Sequence, residues 1–119
     1  MSISDFFVKD VETSDEGSTE QLKTHYYRCD YLQAKNMIIE YCKKAYYNVA
    51  HIDDNFGEIF IQEPKFHLIF IISKASVVNT SINIKVSVYN VIPANKPFKL
   101  IDKAYEFLDK SLPFIKKGI

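Results

Sequence analysis

The chain carries two hydrophobic rhythms, one with the period of a strand and one with the period of a helix. From Ser81 to Tyr89 the alternation is strict. Ile82, Ile84, Val86 and Val88 fall on one side; Ser81, Asn83, Lys85 and Ser87 fall on the other. That pattern predicts a strand with one face in a core and one in water. Phe66 to Lys74 differs, because Phe66, Leu68, Phe70 and Ile72 are opposed by Ile69 and Ile71. It predicts a central strand covered at least in part on both faces. The N-terminal segment, a second subunit or a ligand would have to supply the second cover. Two more strands, Tyr46 to Ile52 and Phe56 to Gln62, flank the turn Asp53-Asp54-Asn55, and Glu63-Pro64-Lys65 leads into Phe66. Links this short join antiparallel neighbours, since a parallel crossover needs about a dozen residues or more. The four strands therefore form a meander.

The helical rhythm appears twice. Asp30 has the character of an N-cap, with Gln33 three residues on. Ala34, Met37, Ile38, Tyr41, Cys42 and Ala45 then recur at helical spacing as one apolar stripe. Ile92-Pro93-Ala94-Asn95 interrupts the strand pattern, and Pro97 suits the first turn of a second helix. Phe98, Ile101, Ala104, Tyr105, Leu108 and Leu112 form its stripe, and Pro113 stops it near Leu112. Phe114 and Ile115 then either dock or dangle.

Before the first helix, Thr24 to Cys29 is aromatic-rich and reads as a strand. Asp5 to Val11 is a short apolar stretch, strand or helical turn, and Thr13 to Thr19 has loop composition. A hairpin from residue 6 to residue 29 and a mobile arm both fit residues 1–23. The expected fold is α+β in the order β-α-β-β-β-β-α: a two-layer sandwich with an antiparallel sheet of four to five strands and two helices on one face. Residues 24–119 are expected to form a single domain, with residues 1–23 as an arm or extra strand.

Composition narrows the function classes. The 119 residues, 47% apolar and 25% charged, suit one ordinary globular domain and exclude wholesale disorder. The longest apolar run, Phe66 to Ile72, is far short of the roughly 20 residues of a membrane-spanning helix. Met1-Ser2-Ile3-Ser4-Asp5 lacks the basic start and apolar core of a secretion signal, so a cytoplasmic protein with no membrane association is expected. Net charge is zero but uneven. The first 20 residues hold six acids and one base, whereas residues 64–119 hold nine lysines and three acids. With Arg28 the sole arginine and no RNP-like signature, nucleic acid is not an expected partner.

Catalytic and metal-binding patterns are missing. Cys29 and Cys42 fit neither a zinc frame nor a disulfide scaffold and read as small buried thiols, although one bridge between them stays open. His25 and His67 sit in aromatic or apolar strands. His51 and Asp53 share one side of an extended chain, which more often marks a strand running into an Asp-rich turn than a metal or proton-relay pair. Serines lack a nucleophile elbow, and Glu58 and Glu63 point to opposite faces. Gly17, Gly57 and Gly118 are too scattered to cradle phosphate, and Gly57 reads as a tight turn. No catalytic residue, metal or cofactor is expected, and an enzyme ranks third among the functions.

Two functions remain. The first is a non-enzymatic protein-interaction module, homodimeric or with another protein, that uses the two-sided apolar strand and a tyrosine-rich surface. The second is a carrier for a small hydrophobic ligand, with a pocket between the C-terminal helix and the sheet lined by Phe60, Phe70, Tyr89 and Phe98. Interface or ligand candidates are thus Tyr27, Tyr31, Tyr47, Phe60, Phe70, Tyr89 and Phe98.

Overall fold

In a computed structural model that describes residues 8–89 and 96–118, the alternating segments form the expected α+β sandwich. Its described strands are β1 (Val8–Glu12), β2 (His25–Tyr27), β3 (Val49–Asp53), β4 (Glu58–Gln62), β5 (Phe66–Lys74), β6 (Thr80–Tyr89) and β7 (Phe114–Lys117). Helices α1 (Tyr31–Lys44) and α2 (Lys96–Ser111) pack on one face of the sheet, α1 against β5 and α2 against β6. The break expected at Ile92 to Asn95 and the apolar pair Phe6-Phe7 lie outside the described residues.

The antiparallel meander from β3 to β6 is present, and the sheet runs in the order β3-β4-β5-β6-β2-β7 with β1 also beside β6. The strand count exceeds the expected four to five for two reasons. β6 is long enough for two short strands to share its far edge, β1 against Lys85–Tyr89 and β2 against Thr80–Ile82. β1 and β2 run in the same direction, so the expected hairpin is not formed between residues 8 and 27. They act as two halves of one broken strand along β6, with a loop thrown out between them. That loop is closed by Ser14 N–H donating to Leu22 O at 2.9 Å and by Thr24 N–H donating to Ser14 O at 3.1 Å. The seam is tied by Thr13 and Thr24, whose hydroxyls both donate to Asn83 Oδ1 at 2.7 Å. The other added strand is β7: after Pro113 the chain turns back and pairs with the open edge of β2. Phe114 and Ile115 therefore dock.

Local chemistry sets the element ends. Asp30 caps α1: its side chain accepts from Gln33 N–H at 2.8 Å, and Gln33 Oε1 accepts from Asp30 N–H at 3.0 Å. The helix ends in a Schellman turn, with Tyr47 N–H donating to Cys42 O and Tyr46 N–H to Lys43 O. Tyr46 takes the left-handed position with φ 59°, usually a glycine's place, and is 92% exposed. β3 accordingly starts at Val49 rather than at Tyr46. Gly57, at φ +69°, belongs to the β3–β4 turn, where an added Cβ would fall 2.2 Å from Ile72 O.

The core lies between the helices and the sheet. Ile59, Leu68, Phe70, Ile82, Ile84 and Val86 face Ala34, Ile38, Ile101, Ala104 and Leu108, all 0% exposed. Cys29 and Cys42 are buried and free. Burial alone pushes the Cys42 thiol up to about 12. Burial also raises Cys29, with Asp30 adding and the Thr80 hydroxyl opposing. Neither thiol is expected to react with a disulfide reagent near about pH 8 until the fold opens. A 5,5′-dithiobis(2-nitrobenzoate) assay should show slow reaction in buffer and two rapid thiols in guanidinium. Rapid stoichiometric reaction of the native protein would refute this burial.

Candidate interaction face

The helices occupy one face of the sheet, and period-two alternation sends every second residue to the other. On β5 these are His67, Ile69 and Ile71, all half-buried, while Leu68, Phe70 and Ile72 are buried beneath the helices. Register fixes their neighbours. Ile69 stands between Phe60 and Lys85, Ile71 between Glu58 and Asn83, and His67 between Gln62 and Ser87. At one edge Glu12 pairs with Lys85 and Asp10 with Ser87. The His51 ring lies 5.7 Å from that of Phe60.

This face has an apolar centre of Phe60, Ile69 and Ile71. A shallow recess of about 230 Å³ opens there, bordered by Phe60, Gln62, His67, Ile69, Lys85 and Ser87. Register places the carboxylates Asp10, Glu12, Asp53 and Glu58 around this centre with the ammonium of Lys85, and Lys116 stands farther off on the same face beside Tyr26. Residues 8–12 do not cover the face, because they lie within the sheet as β1.

The sequence-derived candidates do not converge on one place. Phe60 and Phe70 stand on opposite faces, since Phe60 is paired with Ile69 and Phe70 with Ile59. Opposite faces separate these two side chains of the expected pocket lining. Phe70 is wholly buried and meets the Tyr41 ring edge-on, with centroids 6.3 Å apart. Phe98 is half-buried and packs against the core from α2. The Tyr89 side chain lies outside the described part of the structure. Tyr31 leaves the face altogether: its hydroxyl donates to Asp54 Oδ1 at 2.6 Å, where Lys35 also binds at 2.9 Å. Burial and that carboxylate lift the Tyr31 hydroxyl to about 12, and the same hydroxyl, with Lys35, holds Asp54 below its usual range. Tyr47 borders a groove between the helices.

Tyr27 belongs to a buried polar cluster that sequence reading missed. Its hydroxyl donates to Asp109 Oδ1 at 2.6 Å, and His25 Nδ1 lies 2.9 Å from the same oxygen. A carboxylate oxygen can only accept, so His25 Nδ1 is the donor in this contact. The His25 ring stacks on Tyr105 with centroids 3.5 Å apart and planes 2° from parallel. Tyr105 in turn donates to Ile82 O at 2.7 Å. The available signal was helical: Asp102, Tyr105 and Asp109 recur at i, i+3, i+7 beside the apolar stripe of α2. His51 and Asp53 take ordinary roles instead, for Asp53 Oδ1 accepts from Asn55 and Phe56 N–H at 3.0 and 3.2 Å to close the turn. Among the described residues no three His, Cys, Asp or Glu side chains form a metal-holding group, and no helix is long and apolar enough to cross a membrane.

No protein-family model, curated protein or solved structure matches this chain significantly.

Proposed function

We propose that this protein is a non-enzymatic docking module that engages another protein through the helix-free face of its sheet. The observation that carries this reading is the half-exposed apolar centre of Phe60, Ile69 and Ile71 on the side opposite both helices. Apolar residues gathered in this way, with a polar surround, are the composition of an interface core and its rim. The recess beside Ile69 is sized for a side-chain anchor rather than for a whole ligand.

Charge selects the partner. A second copy would bring its own Asp10, Glu12, Asp53 and Glu58 to the same face, with Lys85 and the more distant Lys116 to offset them. Like-charge juxtaposition disfavours that pairing. A partner with an apolar anchor flanked by lysines or arginines meets the face with attraction on its rim. That surface could also recruit a segment that is disordered before binding.

Panning a random peptide library against the immobilised protein tests both parts. Enriched peptides should carry an apolar residue flanked by basic ones. Ile69→Lys should weaken their binding about tenfold or more, since it places a cation in the centre of the contact. Peptides without basic flanks, or equal binding by the variant, would count against the proposal. A wild-type dimer in sedimentation velocity that Ile69→Lys dissociates would reassign the face to self-association.

A further inference from the structure

On the opposite side of the molecule, the C-terminal end of α1 and the outer flank of α2 leave a groove of about 470 Å³. Its walls are aromatic: Tyr41, Tyr47 and Phe107, with Tyr41 and Tyr47 edge-on at 5.9 Å and Tyr41 and Phe107 tilted at 5.4 Å. Its rim is cationic, formed by Lys44, Lys103 and Lys110. The one bordering carboxylate, Glu106, is paired with Lys110 at 3.3 Å. Lys44 and Lys103 have no ion pair among the described residues. Lys44 Nζ stands 5.3 Å from the Phe107 ring centroid, so a cation and an aromatic face are already presented together.

We infer that this groove binds a small organic anion built on an aromatic ring system. Its anionic group lies between Lys44 and Lys103, and its ring rests on Phe107 and Tyr47. The groove falls within the roughly 300–1,000 Å³ of small-ligand sites, and its combination of aromatic walls with a few polar groups is theirs as well. Burial raises both the Tyr41 and the Tyr47 hydroxyl above the ordinary range, so neither offers a competing phenolate charge at neutral pH. The charge pattern of the chain also becomes intelligible here. The lysine excess of residues 64–119 supplies Lys103 and Lys110, on the flank of α2 away from Asp102 and Asp109.

The test uses naphthalene-2-sulfonate and its neutral analogue naphthalene-2-sulfonamide, followed by two-dimensional NMR titration of the full chain. The sulfonate is expected to shift the signals of Lys44, Tyr47, Lys103 and Phe107, and to bind about tenfold more tightly than the sulfonamide. Lys44→Gln with Lys103→Gln should remove most of that preference. Lys116→Gln, beside Tyr26 on another element, should leave it intact. All three lysines are exposed, so these variants should fold. Equal affinity for the two probes, shifts centred elsewhere, no saturable binding, or indifference to the double variant would each overturn the inference. Ile69→Lys should not alter sulfonate binding, which separates this site from the docking face.

Discussion

Phe70→Ala is expected to lower the free energy of unfolding by about 3–5 kcal/mol, whereas Phe60→Ala should cost less than about 1.5 kcal/mol. The two residues are close in sequence and alike in chemistry. Phe70, however, is wholly buried beneath α1, against Tyr41 and between Ile59 and Ile84. Its truncation loses the transfer energy of the ring and leaves a cavity that a packed core closes only in part. Phe60 is half-exposed on the open face and its removal leaves a dent that water fills. Because small domains hold only about 5–15 kcal/mol in total, the first change removes a large fraction of the stability. Urea titrations with unchanged slopes would give both values. Comparable losses from the two substitutions would mean that both faces of the sheet are covered equally, and the proposed docking face would fall with that result.

Asp109→Ala should cost about 2–4 kcal/mol, an effect that no exposed carboxylate produces. Asp109 Oδ1 is the acceptor for both the Tyr27 hydroxyl and His25 Nδ1, and the His25 side chain is 4% exposed while Tyr27 is 0% exposed. Deleting it strands two buried polar groups at once. Asp109→Asn retains an acceptor oxygen and should recover part of the loss, and Tyr27→Phe, which removes the donor as well, should cost only about 0.5–1.5 kcal/mol. A ranking with Tyr27→Phe above Asp109→Ala would refute the shared-acceptor account. The same cluster makes the fold sensitive to alkaline pH. Burial first, and the Asp109 hydrogen bond second, raise the Tyr27 hydroxyl above its ordinary value of 10.0. Burial likewise raises Tyr105. With the folded value above the unfolded one, the contribution is whole below about pH 10 and declines as pH rises beyond it. The last part of the phenolate rise, from the buried Tyr27 and Tyr105, should therefore coincide with the loss of circular dichroism.

Much of the framework was legible along the chain because its determinants are local. Strict alternation located β6, and the doubly apolar pattern located β5 with its bounds unchanged. Asp30 and Gln33 marked the start of α1 through a capping box that spans three residues. Pro113 marked the stop of α2. Boundaries drifted where a helix end overrode strand propensity: Tyr46 and Tyr47 are good strand formers, yet the Schellman turn consumes both. The open face was legible as a need for a second cover on Phe66 to Ile72. The face that each candidate aromatic occupies was not legible, because one residue of register decides it.

What the sequence by itself determined is the two helices, the four meander strands with their antiparallel order, the strand before α1 and the α+β class, all of which follow from periodicity, caps and short links. Only the tertiary structure decided that β1 and β2 lie end to end on β6, that β7 closes against β2, and that His25 meets Asp109 across 84 residues. It also decided that lysines from two helices share one aromatic groove. A short segment such as Phe114–Lys117 carries too little periodicity to declare itself a strand. It becomes one because β2 offers an edge of unpaired N–H and C=O groups, and that edge exists only once the rest of the sheet has formed.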